Sequence, residues 1–86
     1  MYIHLGEDIS VHDSTIMGIF DLENTTIGKD TRAYLERLEQ NKCVVNVSTE
    51  MPKSFVVCFE TETQTEMAYI SPISVATLKK RAKTMF

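Results

Sequence analysis

Ile3 and Leu5 alternate with polar residues at the start of the chain, and the alternation resumes at Ile9 and Val11. Period-two alternation marks strands with one buried face, and the intervening Gly6-Glu7-Asp8 is a turn-forming triplet, so residues 2–12 are predicted to form a hairpin. A second break at Asp13-Ser14-Thr15 leads into Ile16-Met17-Gly18-Ile19-Phe20. This nearly continuous apolar run is the pattern of a strand covered on both faces, and it is predicted as the centre of the sheet.

The period then changes to about 3.6 residues, the helical repeat. Ile27, Tyr34, Leu35 and Leu38 fall on one helical face, with Arg32 and Glu36 on the other. Asn24 and Thr26 are good N-cap types, but Gly28 weakens a first turn, so the regular helix is expected from Asp30 if not earlier. It should end near Asn41, which tolerates the left-handed C-cap conformation. Beyond it, Val44–Val47 and Phe55–Phe59 are rich in β-branched and aromatic residues and read as strands, separated by a polar loop from Ser48 to Lys53. The polar run Glu60–Glu66 predicts a solvated hairpin connection, and Met67–Ile70 the last strand. Pro72 cannot lie inside a central strand, but it can precede a helix capped by Ser74 whose apolar face holds Val75, Leu78 and Ala82.

The fold class predicted is α/β (α+β): a small, mostly antiparallel sheet of about six short strands with two helices, in the order βββ-α-βββ-α. At 86 residues the chain, residues 1–86, is one domain. A core of this size leaves a thin margin of stability, so self-association is expected from size alone. The hydrophobic fraction of 43 % and charged fraction of 24 % are those of an ordinary globular protein. The N-terminus lacks a signal-peptide pattern and no apolar run reaches the length of a membrane span, so the expected location is the cytoplasm, with no membrane partner. Cys43 and Cys58 each adjoin a pair of valines, the setting of reduced, buried thiols in strands.

Chemistry-bearing patterns are few. The two histidines, His4 and His12, fall on the first two strands, with Asp8 and Asp13 as the nearby carboxylates. That falls short of a metal set, and edge or surface histidines are the simpler reading. Zinc-protease, phosphate-loop and dinucleotide fingerprints are missing from the sequence. The adjacent Glu7-Asp8 pair points apart in a turn and sits in water. The expectation is therefore a binding or assembly protein, not an enzyme, with no cofactor and no small-molecule substrate.

Charge sharpens this expectation. The net charge is -3, but residues 1–30 hold six acids against Lys29 alone, whereas residues 67–86 hold Lys79, Lys80, Arg81 and Lys83 without an acid. Basic residues in the last turn of a helix complement its dipole, and displayed several times in an oligomer they also offer a face to phosphates. Lys53, in the loop before a strand, adds to the positive charge available to an anionic partner.

Three blocks carry a family resemblance: Met1-Tyr2-Ile3-His4-Leu5-Gly6-Glu7-Asp8, then Gly18-Ile19-Phe20-Asp21-Leu22-Glu23-Asn24-Thr25-Thr26, and finally Pro52-Lys53-Ser54-Phe55-Val56-Val57 with Tyr69 to Arg81. In this order, spanning essentially the whole chain, they resemble the RemB-like branch of the bacterial extracellular-matrix regulators of Firmicutes. The resemblance implies a compact subunit assembling into a ring-shaped homo-oligomer. For the RemA-like branch it implies double-stranded DNA binding that controls transcription of biofilm matrix genes. The arginines that meet the DNA backbone in that branch match positions near Ser14 and around Met51-Pro52-Lys53-Ser54, of which Lys53 alone is cationic here. Two functional expectations follow. One is a ring-forming DNA-binding transcriptional regulator contacting phosphates through Lys53, Lys79, Lys80 and Arg81. The other is an assembly or protein-interaction module that has lost DNA binding.

Overall fold

The computed structural model describes residues 1–23 and 28–82. The predicted N-caps Asn24 and Thr26, the facial residue Ile27 and the terminal cation Lys83 lie outside these. Six strands, β1 (Tyr2–Gly6), β2 (Ile9–His12), β3 (Ile16–Asp21), β4 (Val44–Asn46), β5 (Ser54–Glu60) and β6 (Thr65–Ser71), are joined by helices α1 (Lys29–Gln40) and α2 (Val75–Arg81) and a 3₁₀ turn over Asp13–Thr15. The order of elements is that read from the hydrophobic pattern, but the single sheet expected divides in two. β1 and β2 form a separate two-stranded sheet, and the larger sheet has the order β3-β5-β6-β4. Pairing is antiparallel except between β4 and β6, which run parallel because the chain returns through β5 between them.

The hairpin turns where the triplet predicts. Gly6 has φ +130° and a Cβ there would press on Val47 and Pro72 at 3.1–3.2 Å, so this turn needs a residue without a side chain. The hairpin is then fastened to the sheet by a buried hydroxyl. Ser71 Oγ donates to the Leu5 carbonyl at 2.6 Å and accepts from the Ile73 N–H at 3.0 Å.

The centre of the sheet differs from the prediction. β5, not β3, is the inner strand of the β3-β5-β6 trio, and Ser54 through Cys58 are all buried along it. β3 is an edge strand on which Met17 and Phe20 are exposed. A continuous apolar run reports low polarity and not coverage. In β3 the run is interrupted by a bulge at Met17, between the paired positions Ile16 and Gly18. The missing side chain of Gly18 leaves room for the Phe20 ring, whose edge would lie 2.8 Å from a Cβ at that position. β3 therefore covers part of itself.

Register sorts β5 between two layers. Val56 and Cys58 enter the main core with Ile3, Leu5, Val11, Val47, Leu78 and Ala82, where the hairpin and α2 pack. Phe55 and Val57 face the other way, beside Phe20 and Gly18 on β3 and Ile70 and Ala68 on β6. α1 lies over β6 and β4 on this second face and buries Leu38, with Tyr34 and Leu35 half-buried. Its stop is a Schellman motif, with Cys43 N–H bonding Leu38 C=O at 2.8 Å and Lys42 N–H bonding Glu39 C=O at 3.0 Å. The left-handed residue is Lys42 (φ 60°), one position beyond the Asn41 expected, because Asn41 still holds φ -90° as the cap itself. α2 is capped by Ser74, as predicted, whose Oγ accepts from Thr77 N–H at 3.3 Å. Leu78 and Ala82 on its inner face are fully buried.

Candidate nucleic-acid interface

Lys53 is held by its backbone and free at its side chain. Its N–H donates to the Ser71 carbonyl at 2.8 Å and its C=O accepts from Leu22 N–H at 2.9 Å. The residue is thus pinned between the exits of β3 and β6, with an exposed ammonium. Met51 and Pro52 before it are exposed too, Met51 at 80 %. Nearby, Ser54 Oγ donates to the Ile73 carbonyl at 2.7 Å, which fixes the start of the connection into α2 at the same end of the sheet. α2 then runs about 10 Å for its seven residues, and Lys79, Lys80 and Arg81 are exposed in its last turn. Arg81 is partly used within the fold, its Nη1 donating to the His4 carbonyl of β1 at 2.8 Å. Among the described residues none of these four cations forms an ion pair; the pairs found are those of Asp13 with the Met1 ammonium and with His12.

Ser14 lies elsewhere. It is exposed on the 3₁₀ turn, where its N–H donates to His12 Nδ1 at 3.2 Å and its Oγ lies 2.7 Å from the same nitrogen. β3 begins just beyond this turn opposite Cys58 and ends opposite Ser54, so one strand, about 20 Å at about 3.3 Å per residue, separates Ser14 from Lys53. Within a single subunit the two regions matched to DNA contacts sit at opposite ends of the sheet. The histidines do not meet either: across the hairpin His4 stands opposite Ser10 and His12 opposite Tyr2. His4 Nε2 lies 2.8 Å from the Glu7 carbonyl. Among the described residues no three His, Cys, Asp or Glu side chains gather as a metal set.

The fold also creates a feature that the hydrophobic pattern does not announce. Between β3 and α1 lies an open groove of about 390 Å³. Phe20 and Phe55 stack on its floor with ring centroids 4.8 Å apart, and Asp30, Tyr34 and Glu66 stand on its other wall. Tyr34 OH donates to Glu66. Burial first, then that hydrogen bond and the carboxylate charge, push the phenol up to about 12. The signal that could have marked this groove is the lack of any Lys, Arg or Pro in β3, which leaves the middle of an edge strand, Gly18–Phe20, without those guards.

Taken together, the fold and the exposed cations define a small α+β domain whose candidate site is a surface and not an enclosed pocket. No protein-family model matches the chain. It is 40 % identical over 86 residues to "Extracellular matrix regulatory protein B" of Bacillus subtilis (strain 168), with 100 % of this chain and 95 % of that protein covered. The chain belongs to the RemA/RemB-type extracellular matrix regulatory family. Among the described residues no helix is long and apolar enough to cross a membrane.

Proposed function

We propose that this matrix regulator acts in the cytoplasm as a ring-shaped homo-oligomer that binds double-stranded DNA and controls transcription of biofilm matrix genes, without catalysis. The observation that carries the reading is the set of exposed cations, Lys53, Lys79, Lys80 and Arg81, that form no ion pair among the described residues. Lys53 lies at the end of the sheet where α2 starts, and Lys79, Lys80 and Arg81 stand about 10 Å farther along, in the last turn of α2. Repetition around a ring multiplies the phosphates neutralised, and affinity then rises with the number of counterions released. Lysine ammonium groups act here as point charges without the paired geometry of a guanidinium, so sequence preference comes from DNA shape more than from base edges.

A second reading is favoured by the Ser14 turn, Asp13–Thr15, which contains no lysine or arginine. There the same oligomer serves as a protein-interaction module without DNA. Light scattering combined with fluorescence anisotropy on a labelled duplex at low salt separates the two. A large oligomer that binds DNA supports the first reading, and an equally large oligomer that leaves the duplex free supports the second. A monomer contradicts both.

A further inference from the structure

Among the described residues, no strand pairs with the outer edge of β3. Alternate N–H and C=O groups on such an edge point to solvent and template a further strand unless charge, proline or a covering element blocks them. β3 has no lysine, arginine or proline; Asp21 guards its end and the bulge at Met17 its start, which leaves Gly18–Phe20 as a short pairing edge. Beside that edge lies the groove floored by Phe20 and Phe55, with Met17 exposed at its mouth. Asp30 and Glu66 stand on the far wall, and no described cation pairs with either.

We infer that β3 and this groove form a docking site for an extended segment of a partner protein that alternates apolar and basic residues. The segment adds as a strand beside β3, drops its apolar side chains onto the Phe20–Phe55 stack, and brings its basic side chains to Asp30 and Glu66. This is strand addition, in which main-chain hydrogen bonds give affinity and the alternate side chains give selectivity. Charge selects a foreign segment over a second copy of this chain. Among the described residues the other strands with open edges, β1, β2 and β4, contain no lysine or arginine, so none of them brings a permanent cation to the two carboxylates. Pairing β3 with another β3 would bring in more acid. The inference goes beyond DNA binding and does not depend on it, because the groove is lined by none of Lys53, Lys79, Lys80 and Arg81.

The test uses the full chain, isotope-labelled, and a synthetic six-residue peptide alternating lysine and valine, with a glutamate–valine peptide as its counterpart. The lysine peptide should cause saturable amide shifts at Gly18–Phe20 and in the first turn of α1, and slow hydrogen exchange on β3. The combined Asp30→Asn and Glu66→Gln variant should weaken it about fivefold, the loss expected of two exposed charge pairs. Gly18→Ala, which pushes the Phe20 ring off the floor, should weaken it while leaving the circular dichroism spectrum unchanged. Equal binding of the glutamate peptide, shifts centred elsewhere, or no saturable shift would each overturn the inference. So would β3 protection that grows with protein concentration in the absence of peptide, since a second copy would then already occupy the edge.

Discussion

Val56 and Val57 are neighbours on β5, yet they look into two different environments. Val56 enters a layer closed by the hairpin and α2, in which Ile3, Leu5, Leu78 and Ala82 are at most 1 % exposed. Val57 looks toward α1, which covers β6 and β4 but leaves the β3 side as a groove. The first face is finished within the subunit. The second is finished in part, and its remaining apolar surface, including Phe20 at 44 % exposed, is available to a partner. The difference arises from supply: two elements close the first face, and one helix whose inner stripe buries only Leu38 among the described residues serves the second. Exposed apolar surface next to an open edge is where association is expected.

Truncating one side chain on each face should have very unequal effects. Leu78→Ala should lower the unfolding free energy by about 2–5 kcal/mol, since it opens a cavity in a packed layer. Phe20→Ala should cost about 1 kcal/mol, mostly the lost ring stack on Phe55, because its surface is already half in water. Denaturant titration of both variants measures the contrast, and equal losses would show that the groove face is as closed as the core.

A smaller effect is expected at the seam joining the hairpin to the sheet. Ser71→Ala leaves the Leu5 carbonyl and the Ile73 N–H without their buried partner, at a cost of about 1–3 kcal/mol. Amide exchange should place the loosening at β1 and the start of α2, with little change in α1. Uniform loosening across both faces would mean that the hydroxyl does not act as a local fastener.

The smallest effect is a titration. Tyr34 on the groove face and Tyr69 on the core face are both pushed up from 10.0 to about 12 by burial first. For Tyr34 the Glu66 hydrogen bond and charge follow, and for Tyr69 the Glu60 charge is next. A raised phenol binds its proton more tightly in the folded state, so this contribution to stability is fully present below pH 10. It is lost as pH rises from 10 toward 12. Glu66→Gln should lower the Tyr34 titration seen by ultraviolet absorbance and leave that of Tyr69 in place, which separates the two faces spectroscopically.

The order of elements was legible in the chain because the period of the hydrophobic pattern reports local geometry. The turn at Gly6, the Ser74 cap and the strand around Val56 all follow from it. Strand order was not legible, because pairing is a long-range property. Ile16–Phe20 and Phe55–Cys58 are similarly apolar, and only the register of β3 and β6 against β5 makes the latter central. The division into two sheets is hidden for the same reason. Lys53 could be singled out from its charge and loop position, but its distance from Ser14 depends on the direction of β3 between them. The groove requires the third dimension altogether, since Phe20, Phe55, Asp30 and Glu66 come from four separate elements.

DNA binding is most directly tested by the salt dependence of duplex affinity for the assembled protein and for a Lys53→Ala, Lys79→Ala, Lys80→Ala variant with unchanged oligomeric mass. Log affinity should fall linearly with log salt concentration, and the variant should bind more weakly with a shallower slope, by about one for each lost phosphate contact per subunit engaged. No binding by the intact oligomer at low salt, or an identical slope in the variant, would contradict DNA binding through these lysines.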